Sequence, residues 1–557
     1  MTGGDALVST LLAHGISQAF CVPGESYLAV LEALRREQRR IRLTVTRHES
    51  GASFAADAYA RLSRRPAAVF VTRGPGATNA GIGIHTAAQD SVPVLLFIGH
   101  VPTGVKGREA FQEIDYHRMY APIVKAVFEP PSPAAVAEVT ARAVRLAVAG
   151  RPGPVAVVLP EDVTEGDAGD APIPGGAARP QTVPDPEAVA RAVDLLRAAR
   201  HPIVISGELV AFEGATDALV RFAEVSGAGV VTAFRRQDTF PNDHPAYLGH
   251  FGIGRTKAQR EAWAACDLVI AAGTRLDDVT SEGFTFLRQD QRLVHVHPDA
   301  GILARWRAEV VMVADARPAL DAMTSLLRGG APPARRVWCE RLHAAYVAHS
   351  TAGGVTALGA VDPARVVETV AARVPAEAVI TNDAGNFASW VHRYYRFTRP
   401  ATQAAPGSGA MGYGVPGAVG ARLARPSSPV VAFVGDGGFL MTGQELVTAV
   451  QEGLPIKVIV GDNSAYATIL MHQYRRVGPD ALYAVHLTSP DFATVARGYG
   501  AAAFTVNKTE EFGDALDAAL AHDGPALIHA RLDVRDISAA GPLAPADAPN
   551  ARGGSSR

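Results

Sequence analysis

The chain has 557 residues, 48% hydrophobic and 19% charged, with a formal net charge of −2. That length exceeds one core and suggests about three or four domains. The near-neutral balance without a dense Lys/Arg run excludes a nucleic-acid-binding face, and no apolar run is long enough to span a membrane.

The opening residues lack a basic stretch followed by an apolar one, so the expected location is cytoplasmic. Cys21, Cys266 and Cys339 match neither a zinc spacing nor a disulfide framework and read as buried thiols.

In chain order, residues 1–165 form a first block. Apolar runs at 41–45, 67–72, 92–98 and 155–159 alternate there with amphipathic stretches. Residues 165–184 are rich in Gly, Ala, Pro and Asp and read as a linker. A second block spans 185–328, with runs at 202–206 and 268–272, and 328–335 reads as a second connector. A third block spans 355–538, with runs at 378–381, 430–434 and 456–460. The Ala/Pro/Gly/Ser-rich residues 539–557 read as a disordered tail. Short apolar runs spaced by helices predict an α/β protein of three doubly wound parallel-sheet domains. Ligands of such sheets sit at the carboxyl ends of strands.

Two of those ends carry a specific pattern. Gly435-Asp436-Gly437 follows the run 430–434, and 24 residues (438–461) separate it from Asp462-Asn463, which follows the run 456–460. Glycines let a diphosphate approach the backbone. The Asp436 carboxylate, the Asn463 amide oxygen and the backbone carbonyl of Ala465 form a hard oxygen set suited to Mg²⁺. In the first block, Arg47-His48-Glu49 follows the run 41–45 and precedes small residues, which places a carboxylate at a strand end.

The spacing from Gly435-Asp436-Gly437 to Asn463 resembles the thiamine-diphosphate motif of the acetohydroxyacid (acetolactate) synthase and 2-oxo acid decarboxylase superfamily. Asp462 departs from it, because the family usually has Asn-Asn. The resemblance implies a thiamine-diphosphate-binding fold, with Mg²⁺ held by Asp436, Asn463 and Ala465. It also implies Glu49 at N1′ of the aminopyrimidine. Val22-Pro23-Gly24 and 74–79, with Thr78 and Asn79, look like the family's cofactor-facing loops. Gly409-Ala410-Met411-Gly412 looks like the turn beneath the cofactor, with Met411 as its prop and Gly409 supplying a carbonyl. Gly438 and Tyr466 complete the implied cofactor contacts.

Ala110-Phe111-Gln112-Glu113 and Lys125 resemble the family's substrate-facing segment. Phe111, Gln112 and Lys125, with Thr468, Ile469 and His472 after the diphosphate motif, are thus the implied substrate pocket. Gln112 and His472 stand as catalytic candidates beside Glu49. Glu25, where the synthases have Gly, would add a carboxylate near the cofactor. For His85, His100 and His472 an ordinary structural role is the alternative. In the central block, residues 273–278 and Asp315 resemble flavin-contacting stretches. Residues 249–252 and 295–297 depart from them, so FAD stays open.

The resemblance implies a carboligase that decarboxylates a pyruvate-like 2-oxo acid and joins the fragment to a second carbonyl compound. It also implies a homodimer or homotetramer, because the family's paired blocks come from different subunits. A simple decarboxylase releasing an aldehyde is one alternative, and a non-catalytic binding or assembly relative is another.

Overall fold

A computed structural model describes residues 1–176 and 178–543. Its chain divides into two units: residues 1–346, 397–408 and 423–426 form one, and the remaining residues from 347 onward form the other.

The first unit holds two six-stranded parallel sheets. β1 (Gln18–Cys21), β2 (Arg42–Val45), β3 (Ala67–Val71), β4 (Val94–His100), β5 (Val127–Phe128) and β6 (Val155–Pro160) lie in the order β2-β1-β3-β4-β6-β5. The chain leaves β1 toward one side of the sheet and β3 toward the other. The loops after these two strands therefore flank a topological switch point, where open parallel sheets bind ligands. The central strands are buried along their whole length, as expected of Val/Leu/Ala runs covered by helices on both faces.

In the second sheet, β7 (Pro202–Ser206), β8 (Gly229–Thr232), β9 (Tyr247–His250), β10 (Leu268–Ala272), β11 (Arg292–His297) and β12 (Val310–Val313) take the order β12-β11-β10-β7-β8-β9. β14 (Gln403–Ala404) belongs to the returning segment 397–408 of this unit.

The other unit carries β13 (Val379–Asn382), β15 (Val430–Gly435), β16 (Ile456–Asp462), β17 (Ala502–Val506) and β18 (Ala526–Arg531), arranged β13-β15-β16-β18-β17. β15 and β16 pair in parallel with Gly435 opposite Gly461. That register sets the ends bearing Asp436 and Asn463 side by side.

The structure revises the expected segment boundaries in four places. First, the linker 165–184 is pinned: Arg179 grips Asp315 through two hydrogen bonds of 2.7 and 3.1 Å, and Asp315 also accepts from the Thr182 amide at 3.2 Å. Second, the connector at 328–335 runs directly into the helix Pro333–His349, whose Trp338, Cys339 and Leu342 cover the second sheet. Third, residues 397–408 and 423–426, read as part of the third block, cluster with the first unit. There the fully buried Asp90 receives Arg61 and Arg236 and accepts from the Gly407 amide at 3.0 Å. Fourth, within the expected tail, Ala539 is buried and its amide donates to Ser389 Oγ at 2.9 Å. The rest of that tail, 544–557, lies outside the described residues. Cys21, Cys266 and Cys339 are buried free thiols.

Behind the linker clamp lies Glu213, whose side chain is 3% exposed and whose carboxylate accepts from the Arg317 amide. Burial, reinforced by the Asp315 charge, pushes its carboxyl up to about 7 from 4.5. The folded protein therefore holds this proton more tightly than the unfolded chain. The resulting stabilisation is full below pH 4.5 and is lost as pH rises through 7. Glu213→Gln should escape that loss. Thermal unfolding at pH 5 and pH 8 should show the parent losing up to about 3 kcal/mol more than the variant between them.

Candidate functional site

Glu49 opens the helix Glu49–Ser63, and the ring of His48 caps it by accepting from the Ser50 amide at 3.2 Å. The Glu49 residue is 8% exposed. Its Oε2 accepts from Asn79 Nδ2 at 2.9 Å, and a Cβ on Gly76 would come within 3.2 Å of its Oε1. Small residues make this closeness available. Gly83 in the helix Pro75–Asp90 has no room for a Cβ against Ser53, so the two helices approach closely and bring Asn79 to Glu49. Thr78 donates to the Gly74 carbonyl at 2.8 Å. Pro23, Thr78 and Asn79 are exposed, and Gly24, half-buried, sits against the Thr72 side chain with no space for a Cβ.

Gln112 follows the exposed Phe111 and adopts a left-handed backbone, φ 63°. Such a conformation costs a non-glycine residue about 1–3 kcal/mol and persists only where its surroundings enforce it. Gln112 lines a cleft of about 570 Å³ with His100, Lys106, Glu113 and Tyr116. His100 ends β4, is 3% exposed, and its Nδ1 has no hydrogen-bond partner.

One expected pocket residue, Lys125, needs correction. Lys125 Nζ donates to the carbonyls of Leu146, Ala149 and Arg151 at 2.6, 2.7 and 2.8 Å. Its three protons are spent on the end of the helix Val136–Val148, which leaves none for a substrate. The Glu25 carboxylate, exposed, accepts from Arg73 Nη2 at 2.7 Å. Sequence reasoning passed over Arg73; its signal is a cation inside an otherwise apolar and glycine-rich strand end.

In the other unit, Asp436 is 3% exposed. Its Oδ1 accepts from the Gly437 amide at 2.8 Å and its Oδ2 from the Ala465 amide at 3.2 Å. Ser464, at φ 53°, turns the chain between Asn463 and Ala465, and the Asp462 carboxylate holds that turn by accepting from the Ser464 amide at 3.0 Å. Asp462 also receives Ser489 Oγ at 2.7 Å and lies 2.9 Å from His529 Nε2. The substitution of Asp for the family's Asn is thus matched by a buried histidine. Burial, reinforced by the neighbouring Asp462 charge, raises Asp436 above the usual carboxylate range.

These residues fit a divalent cation and a diphosphate. The set offers hard oxygens and excess negative charge, and a Cβ on Gly435 or Gly409 would meet nothing within 4 Å, so the backbone is open there. The Ala465 carbonyl accepts from the Ala467 amide at 2.8 Å, which leaves it a second lone pair. Among the described residues no group of three or more His, Cys, Asp or Glu is placed to hold a metal ion.

The other half of this cradle rests on Asp383, which sequence reasoning missed. It directly follows β13 and is 1% exposed, and its carboxylate accepts from the amides of Ala384, Gly412 and Tyr413 at 2.8, 3.0 and 3.2 Å. The same carboxylate fills the space a Cβ would need on Gly438, while the Tyr466 ring does so at Gly437. Asp383 thereby fixes the turn that carries Gly409 and the half-buried Met411. The clue was an Asp directly after an apolar run. On the helix Ala467–Val477, Thr468 donates to Asn386 Oδ1 at 3.0 Å, and Ile469 and His472 are exposed.

The stretches read for flavin are engaged internally. Asp315 serves Arg179 and Thr182, and Asp277 accepts from Thr280; in the departing stretch 295–297, His295 Nε2 lies 2.9 Å from the Thr274 carbonyl. Among the described residues no helix is long and apolar enough to cross a membrane.

The N-terminal TPP binding domain of the thiamine pyrophosphate enzymes matches residues 1–119, their central domain residues 189–323, and their C-terminal TPP binding domain residues 383–530. The chain belongs to this family. Its relatives include a probable acetolactate synthase large subunit of Methanocaldococcus jannaschii, 32% identical over 96% of this chain and 92% of that protein. The acetolactate synthase large subunit of Parasynechococcus marenigrum is 32% identical over 95% of this chain and 87% of its own length. The acetolactate synthase isozyme 2 large subunit of Escherichia coli is 31% identical over 99% and 98%.

Replacing Asp383 with Ala should strip three amides of their acceptor. A loss of about 3 kcal/mol is expected in urea unfolding, with Asp383→Asn losing less because it retains one acceptor oxygen.

Proposed function

We propose that the protein is a thiamine-diphosphate- and Mg²⁺-dependent carboligase of the acetolactate synthase type. It decarboxylates a pyruvate-like 2-oxo acid and joins the resulting fragment to a second carbonyl compound. The observation that carries this reading is the buried Asp436, set by strand register beside Asn463, together with a buried Glu49 anchored by Asn79.

Thiamine diphosphate, when bound, supplies an electron sink for the pair released as the 2-oxo acid loses CO₂. Asp436, Asn463 and the Ala465 carbonyl would hold Mg²⁺, with the open backbone of Gly435 facing the diphosphate. Glu49 keeps Oε2 on Asn79 and has Oε1 left to share a proton with N1′. Pro23, Gly24, Thr78, Gly409, Met411, Gly437, Gly438 and Tyr466 would frame the cofactor. Gln112 would donate its amide hydrogens to the substrate oxygen as charge develops there. Phe111, Thr468, Ile469 and His472 would bound the substrate space. The assembly read with this site is a homodimer or homotetramer in the cytoplasm. No step is routed through FAD.

Incubation with pyruvate, with and without carbonyl acceptors, should give a hydroxyketone product by mass spectrometry; free aldehyde alone would instead mean a simple decarboxylase. Asp436→Ala should abolish Mg²⁺-dependent thiamine diphosphate binding in calorimetry, and unchanged affinity would refute the metal assignment. Glu49→Gln should bind cofactor near-normally yet turn over about 10²–10⁴-fold more slowly. Parent-like turnover in that variant would remove Glu49 from the proton path.

A further inference from the structure

Arg73 lies two residues beyond β3 and is 8% exposed. Its guanidinium makes three separate bonds: Nε to the Phe111 carbonyl at 3.2 Å, Nη1 to Glu161 at 2.5 Å and Nη2 to Glu25 at 2.7 Å. It also lies 5.9 Å from the centre of the Phe111 ring. The carbonyl it holds belongs to the peptide that enters Gln112, the residue with the left-handed backbone.

Other constraints converge on the same turn. Glu113 accepts from the amides of Gly107 at 2.6 Å and Ala110 at 3.0 Å, closing the loop on itself. Gly74, next to Arg73, touches Gln112 so closely that a Cβ would come within 2.8 Å of its carbonyl oxygen. The Gly74 amide donates to Tyr116 Oη at 2.7 Å. Two residues on, Gly76 lies against Glu49. One strand end thus supports both the Glu49 carboxylate and the Gln112 turn.

We propose that Arg73 is a positioning residue for the reaction: through the Phe111 carbonyl it holds Gln112 in its left-handed conformation and aims its amide into the cleft that Gln112 lines. Glu25 and Glu161 orient the guanidinium and cancel its charge, so no bare cation stands there to capture an anionic substrate. This explains why Glu25 and Arg73 occur together. Lysine cannot replace this arginine, because an ammonium lacks the planar fork that reaches two carboxylates and a carbonyl at once.

The inference rests on the carboligase reading, with Gln112 as the oxygen donor, and two measurements separate the two claims. In Arg73→Ala, hydrogen exchange at amides 107–113 should accelerate by about 10-fold or more, while the helix Glu49–Ser63 keeps its protection. This readout is independent of activity, and unchanged exchange at 107–113 overturns the proposal. In a double-mutant cycle, Arg73→Ala should lower kcat by about 10–100-fold with thiamine diphosphate affinity unchanged, yet add less than about 3-fold once Gln112 is already Ala. Arg73→Lys should recover little. Independent, multiplying losses overturn the action through Gln112. If exchange accelerates as expected but the parent forms no carboligation product, the function reading fails while the tether from Arg73 to Gln112 stands.

Discussion

Parallel pairing is the constraint on which the rest of the structure depends. When strands run the same way, their carboxyl ends open on a single edge, and every loop that can touch a ligand leaves from there. Glu49, Arg73 and His100 stand at or just beyond the ends of β2, β3 and β4. Asp383, Asp436 and Asn463 do so at β13, β15 and β16. Both sets of groups owe their convergence to this geometry before any specific contact forms.

Loops at such an edge carry amides and carbonyls with no strand partner, and those buried must still be bonded. The protein meets this demand with buried carboxylates. Asp383 gathers three amides, Asp462 holds the Ser464 turn, Asp90 takes Gly407, and Asp315 takes Thr182. An ionised carboxylate accepts several bonds from one position, so each acts as a nail for a loop. Arginine answers on the donor side: Arg73 and Arg179 each reach more than one acceptor through the fixed fork of the guanidinium. Asp90 is buried with Arg61 and Arg236, and Asp315 with Arg179, which avoids the cost of an isolated ion in a dry interior.

Function enters where this framework tolerates a departure. Gln112 and Ser464 both take left-handed backbone without being glycine, one beside the cleft and the other between two proposed metal ligands. In each case a neighbouring polar group holds the turn, Arg73 at the Phe111 carbonyl and Asp462 at the Ser464 amide. Asp462 also shows how a departure from a family pattern is absorbed: its carboxylate lies 2.9 Å from His529 Nε2, a residue far along the chain that the sheet places beside it.

By itself the sequence determined the α/β class, the parallel sheets and the family, because all three depend on local pattern. Apolar runs of strand length and glycines beside Asp436 are properties of neighbours in the chain. The sequence could not decide the fate of long side chains, which depends on what other segments bring within reach. Lys125 looked like a channel lysine until the end of one helix offered it three carbonyls. Glu25 read only as an added carboxylate; β1 and β3 set it against Arg73. Asp383 and Arg73 escaped notice because nothing near them in the chain shows what they hold. A carboxylate or guanidinium several bonds long takes its role from partners dozens of residues away, and only tertiary packing supplies those.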